Sequence, residues 1–165
     1  MSSVQSVVRI GIAEIGVAVF PKVIRTVGLG SCVGVVVYDS SLKTAAMAHV
    51  MLPDSSLAKG MVSNSAKFAD CAVQELVEIL KRKGSAGKGL KSKIAGGAQM
   101  FKLKMGSEST RIGPRNVEEI KKQLRRFHIH LEAADVGGSS GRTIEFDTDN
   151  EILTVRTVHQ GTLEI

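Results

Sequence analysis

The stretch "CVGVVVYDSSLKTAAMAHVMLPD" (32–54) decides how the chain is read. Its first eight residues are almost continuously apolar and β-branched, as expected of a strand covered on both faces. "SSLK" supplies a turn, and "TAAMAHVMLPD" returns as a second apolar strand that Pro53 ends. A hairpin buried on both sides must be an interior layer, so the rest of the chain has to supply covers for it.

Upstream, "VVRIGIAEIGVAVF" (7–20) is apolar, β-branched and broken by glycine, which reads as one or two strands, and "KVIRTV" (22–27) is another, opened by Pro21. Downstream, "SNSAKFADCAVQELVEILKRKG" (63–84) has the periodicity of a helix. Ser63 or Asn64 is available as its cap, and a basic last turn precedes Gly84. Phe68, Cys71, Ala72, Leu76, Ile79 and Leu80 share one face. "LKSKIAGGAQMF" (90–101) is a strand entering a Gly-Gly turn, and "GPRNVEEIKKQLRRF" (113–127) a second helix with proline in its first turn. "HIHLEAADVGG" (128–138) is a strand, and "RTIEFDTDNEILTVRTV" (142–158) a hairpin turning at "DTDN". The longest stretches without pattern are 54–62 and 104–112. Many strands with two main helices give an α/β layered single domain over 1–165. The consecutive strands before the first helix are expected to form an antiparallel meander.

The 165 residues are 43% hydrophobic, enough for a core without staples, and the scarcity of aromatics (4%) leaves Val, Ile, Leu, Ala and Met to fill it. Two cysteines, Cys32 and Cys71, are too few for a disulfide framework and read as free thiols of a reducing compartment. The N-terminus lacks a basic region before its apolar residues, and no apolar run approaches the roughly 18 residues of a membrane span. The expectation is a soluble, cytoplasmic protein. Lys and Arg number 22 against 16 Asp and Glu, a net charge of +6 that favours acidic partners. The cations lie in "KRKGSAGKGLKSK" (81–93), "FKLKM" (101–105) and "KKQLRR" (121–126), where solvated helix ends and loops explain them as well. Nucleic-acid binding would rest on charge alone, without the aromatic-rich basic surface that single strands require or a helix-turn-helix pattern.

Chemistry gathers at "RTVGLGSCVGVVVYD" (25–39). Gly28 and Gly30 permit a tight turn, and Cys32 follows it at the start of a strand, where a rigid scaffold can hold a reactive group. A turn centred between Ser40 and Ser41 sets Asp39 against Leu42 and Cys32 against His49, with Cβ atoms about 4.5–5.5 Å apart. Moving the turn by one residue makes Cys32 and His49 diagonal neighbours. An imidazole beside a thiol whose ordinary pKa is about 8.5 can take its proton and release a nucleophile for an amide carbonyl. Thr26 is a candidate to orient the far ring nitrogen, and amides around Ser31 and Cys32 to bind the oxyanion. A small core thiol beside a satisfied buried histidine fits the same pattern, and spacing alone leaves both open.

At these residues the chain resembles the CheD family, the chemoreceptor glutamine deamidases of bacterial chemotaxis. The matching segments are "TVGLGSCVGVVVYD", "AMAHVMLPDS", "KIAGGAQMF", "IGPRNVEEIK" and "GGSSGRTIEF", in the family's order and across nearly the whole chain. The resemblance implies a three-layer α/β/β sandwich with mainly antiparallel sheets, similar to the deamidase domain of cytotoxic necrotising factor toxins. It implies a Cys–His–Thr triad of Cys32, His49 and Thr26, with Gly28, Gly30 and Ser31 shaping the turn and oxyanion site. The implied reaction is that of a protein-glutamine glutaminase, hydrolysing glutamine side chains on the cytoplasmic helical bundle of chemoreceptors to glutamate and ammonia without a cofactor. It also implies a partner, the CheC phosphatase of phosphorylated CheY, with Phe101 at that contact; the alternative role is a mainly non-catalytic regulator of CheC. The family commonly carries Glu-Asp-Thr-Gly-Gly where this chain has "ADVGG" (134–138), so Asp135 and the glycines match while Ala134 and Val136 depart.

Three other motifs carry less. His128 and His130 in "HIH" would share a strand face, but a metal needs a third ligand, which only His159 or a carboxylate could supply, and histidines at a surface or in a core are the commoner case. "GLGSC" is no dinucleotide loop, because Val33 stands where the third glycine belongs and no helix follows. "GPRN" (113–116) opens a helix whose amides could meet an anion, although capping is the ordinary use of such a start.

Overall fold

The computed structural model describes residues 5–58, 60, 64–100 and 111–165. Among the described residues, ten strands and two α-helices follow in the order β1 (Val7–Ile10), β2 (Ile15–Val19), β3 (Val23–Leu29), β4 (Val33–Asp39), β5 (Thr44–Val50), α1 (Ala69–Arg82), β6 (Lys91–Gly96), α2 (Ile112–Arg126), β7 (His130–Val136), β8 (Arg142–Asp147), β9 (Leu153–Thr157) and β10 (Gly161–Glu164).

Every residue of β4 and β5 is buried, and these strands lie at the heart of a central sheet ordered β2-β5-β4-β6-β7. The helices cover one face. Val33, Val35, Val37, Ala46, Ala48 and Val50 pack there against Ala72, Leu76 and Leu80 of α1 and Val117, Ile120 and Leu124 of α2. A second sheet, ordered β1-β3-β8-β9-β10, covers the other face. Val36, Tyr38, Ala45 and Met47 of the central sheet meet Ile24, Leu29, Ile144, Phe146 and Val155 of this outer sheet. Burying one such aliphatic side chain is worth about 1.5–3 kcal/mol. The strict alternation of β8, with Arg142, Ile144 and Phe146 buried and Thr143, Glu145 and Asp147 half-buried, is that of a sheet with one face to solvent.

The layers answer to the α/β expectation, with two qualifications. Each sheet is mixed, since β1 pairs β3 and β6 pairs β7 in parallel while the other ladders are antiparallel. The strands before α1 are not a meander: β1 and β3 belong to the outer sheet, and β2, β4 and β5 to the central one. Strands buried on both faces must lie inside, half-buried ones outside, so the chain steps from layer to layer instead of turning in plane. A last strand, β10, extends the β8–β9 hairpin beyond what its apolar pattern indicates; all four of its residues are exposed.

Local signals set several ends. Asn64 caps a 3-10 turn at Ser65–Lys67, so α1 itself starts later, at Ala69, without a side-chain cap. Cys71 is half-buried, its thiol 3.4 Å from Asp70 Oδ1. His128 lies outside β7 with φ of +55°, so it and His130 do not line one strand face. No helix among the described residues is long and apolar enough to cross a membrane.

Candidate active site

The β4–β5 turn is longer than a symmetric two-residue link. Asp39 pairs with Thr44, and residues 40–43 form the loop. Asp39 Oδ1 accepts from the Ser41 amide, the Ser41 hydroxyl and the Leu42 amide, and Lys43 closes the loop at φ of +46°. The register therefore places His49 opposite Gly34 rather than Cys32. Cys32 precedes β4 by one residue and projects from the same side as Gly34, which makes the two side chains diagonal neighbours.

His49 is fully buried. Its backbone is pinned to the β1–β2 connection, receiving from the Ala13 amide (3.0 Å) and donating to Glu14 (3.1 Å). Its ring faces the outer sheet, where Thr26 points inward. Thr26 Oγ1 lies 2.7 Å from His49 Nδ1 and 2.9 Å from the Ile10 carbonyl. That pair of distances assigns the protons. A carbonyl can only accept, so the threonine proton goes to Ile10, and Nδ1 must carry the proton it donates to Oγ1. Nε2 is then the basic nitrogen. It is buried and has no hydrogen-bond partner among the described residues. An unsatisfied buried acceptor costs about 1–3 kcal/mol in a group with no further use.

Cys32 is half-buried and packs against the core between the sheets. Burial pushes its thiol pKa up, opposed by its own backbone amide, and pushes the His49 imidazole down. Both shifts favour the uncharged forms.

The turn that carries Cys32 is held by its carbonyls. Gly30 C=O accepts from the Ala98 amide (2.9 Å) and Cys32 C=O from the Gly97 amide (2.8 Å). Ser31 C=O accepts from Asn116 Nδ2 (3.0 Å). Gly28, at φ of +76°, sits at a register shift in β3 between Thr26 and Leu29, a conformation that suits glycine. At Gly30 a side chain would meet Met100 Cγ at 3.3 Å. On the far side, the buried Arg142 guanidinium donates to Asp135 (3.2 Å), Gly137 C=O (2.9 Å) and Gly96 C=O (3.3 Å), joining β8 to the ends of β6 and β7.

Thr26, His49 and the Cys32 turn thus come together at one end of the two sheets, with Gly28, Gly30 and Ser31 in the turn itself. Phe101 lies outside the described residues. Ala134 and Val136 lie on β7, at the edge of the central sheet. Sequence reading missed Asn116, treating "GPRN" as a cap; the signal available was an amide residue on the inward face of an amphipathic helix, a polar group that must find partners when buried. A cleft of about 600 Å³ against α2, lined by Asp54, Arg111, Arg115, Glu118, Glu119 and Lys122 among others, includes none of Thr26, Cys32 or His49.

The fold and site define a three-layer α/β protein in which a buried histidine, hydrogen-bonded to a threonine of the other sheet, lies diagonally from a cysteine at a strand start. The chain belongs to the CheD family: the family profile, described as CheD chemotactic sensory transduction, matches residues 51–157. A probable chemoreceptor glutamine deamidase CheD of Geobacillus kaustophilus is 56% identical over the full length of both chains. The chemoreceptor glutamine deamidase CheD of Halalkalibacterium halodurans is 53% identical, covering 96% of this chain and 98% of its own. That of Bacillus subtilis is 51% identical, with 98% of each chain covered.

Proposed function

We propose that this protein is a cytoplasmic chemoreceptor glutamine deamidase with Cys32 as nucleophile, His49 as general base and acid, and Thr26 as the residue orienting the imidazole. The single observation that carries this reading is the Ile10–Thr26–His49 chain, which leaves the buried Nε2 basic and unpartnered next to the cysteine turn. Nε2 takes the thiol proton as Sγ attacks the glutamine Cδ, giving a tetrahedral oxyanion. The imidazolium returns that proton to the nitrogen, ammonia leaves, and a thioester remains. Water, deprotonated by Nε2, then attacks the thioester; Cys32 leaves and regains its proton, and glutamate is released. Burial favours the neutral form of both groups, so in this mechanism proton transfer accompanies attack instead of preceding it.

The net charge of +6 suits a glutamate-rich receptor helix. Family resemblance adds likeness to the cytotoxic necrotising factor deamidase domain and an encounter with the CheC phosphatase on the active-site face. The test is mass spectrometry of a receptor cytoplasmic fragment after incubation, together with ammonia release. Particular glutamines are expected to gain about one dalton through thioester hydrolysis, and Cys32→Ala or His49→Ala to stop both signals with the fold intact. Undiminished conversion by Cys32→Ala would sink the reading.

A further inference from the structure

Three consecutive carbonyls of the cysteine turn are anchored. Gly30 and Cys32 are held by the amides of Ala98 and Gly97, and Ser31 by Asn116. A trans peptide points its C=O and the next residue's N–H in opposite directions. Fastening the Gly30 carbonyl therefore aims the Ser31 amide the other way, and fastening Ser31 C=O does the same for the Cys32 amide. Among the described residues neither amide donates to another residue.

Asn116 is the one side chain among these anchors. It is fully buried, and its Nδ2 also donates to Met51 C=O at 3.0 Å, just past the strand that bears His49. Two carbonyl acceptors fix the orientation of the amide, because a flipped Oδ1 would face both of them with no proton between. Oδ1 is left buried and without a partner. One side chain from α2 thus ties the nucleophile's turn to the end of the base's strand.

We infer that Asn116 is a positioning residue for the transition state: by holding Ser31 C=O it aims the Cys32 N–H at the oxyanion formed when the glutamine carbonyl is attacked. The inference rests on the deamidase reading above. Asn116 does not touch the reacting atoms, and the donor it aims is needed only once charge develops on oxygen.

The test compares wild type with Asn116→Leu, which keeps the volume but has no donor, and Asn116→Ala, using receptor-fragment deamidation and alkylation of Cys32 by iodoacetamide read by mass. Alkylation builds no oxyanion. The expected result is a kcat lower by about 10- to 100-fold, short of the 10²–10³ for removing an oxyanion donor outright, with KM and alkylation within about twofold. Unchanged kcat, or deamidation and alkylation falling by the same factor, overturns the inference and leaves the deamidase reading standing. Wild-type protein offers a second measurement that needs no variant. A receptor peptide with glutamate γ-semialdehyde in place of glutamine adds the Cys32 thiol as a thiohemiacetal, its oxygen in the oxyanion position. The Cys32 amide proton should then move downfield in the NMR spectrum; an unmoved Cys32 amide overturns the inference. Absence of both the adduct and deamidation in wild type would instead remove the reading beneath it.

Discussion

At the scale of single residues, the chemistry turns on where two protons reside. Thr26 spends its own proton on Ile10, which obliges His49 to donate from Nδ1 and leaves Nε2 as the basic ring nitrogen. Burial lowers the His49 pKa below its ordinary value and raises that of Cys32 above its own. On the proposed reading the free enzyme acts through a neutral imidazole and a protonated thiol, so kcat/KM is expected to rise with pH as His49 loses its proton, below the ordinary histidine value, and to fall as Cys32 loses its proton, above the ordinary thiol value. A plateau across neutrality is expected in the pH dependence of deamidation. A preformed thiolate–imidazolium pair would reverse the order of the two groups, and an alkaline limb well below the ordinary thiol value would speak for it.

At the scale of elements, the start of α2 is set by contact rather than propensity. A Cβ at Gly113 would lie 2.3 Å from the Ala98 carbonyl oxygen and 2.6 Å from that of Gly97, both backbone atoms that cannot swing aside. The helix rests there directly on the Gly-Gly turn, and the same seat brings Asn116 to Ser31 and Met51. Alanine is better than glycine inside a helix by about 1 kcal/mol, whereas forcing a methyl into a packed contact costs about 1–3 kcal/mol. Contact should win. Gly113→Ala is expected to lower stability in urea denaturation, and a stabilised variant would show that α2 shifts without penalty. The hairpin carries a related lesson. Period and composition identify β4 and β5, but the register follows from the way Asp39 gathers the donors of residues 41 and 42, and one step of register separates a direct pair from a diagonal one.

At the scale of the whole molecule, the site exists only because two sheets are held face to face. Thr26 comes from the outer sheet and His49 from the central one. Arg142, buried on β8, fastens the layers at the far side of the turn through Asp135 and two backbone carbonyls. Removing one partner of a buried pair costs about 3–5 kcal/mol. The Asp135 side chain keeps 27% of its exposure and can rehydrate in part, so Arg142→Ala should fall at the lower end of that range in urea denaturation. A loss under about 1 kcal/mol, the scale of surface pairs, would show that the staple is dispensable. Asp135 is also the matching position within "ADVGG", whose departures Ala134 and Val136 leave this bridge in place.

The interior strands and both amphipathic helices could be read from the chain alone, because burial periodicity and turn chemistry are local properties. The sequence could narrow Cys32 and His49 to direct or diagonal neighbours, since a hairpin of known ends has few registers. Tertiary structure alone decided which sheet each early strand joins, that Thr26 meets Nδ1 across the layers, and that Asn116 reaches a turn far away in the chain. Those outcomes depend on which faces are left to cover one another and on where a buried amide finds its acceptors, and no window of neighbouring residues contains that information.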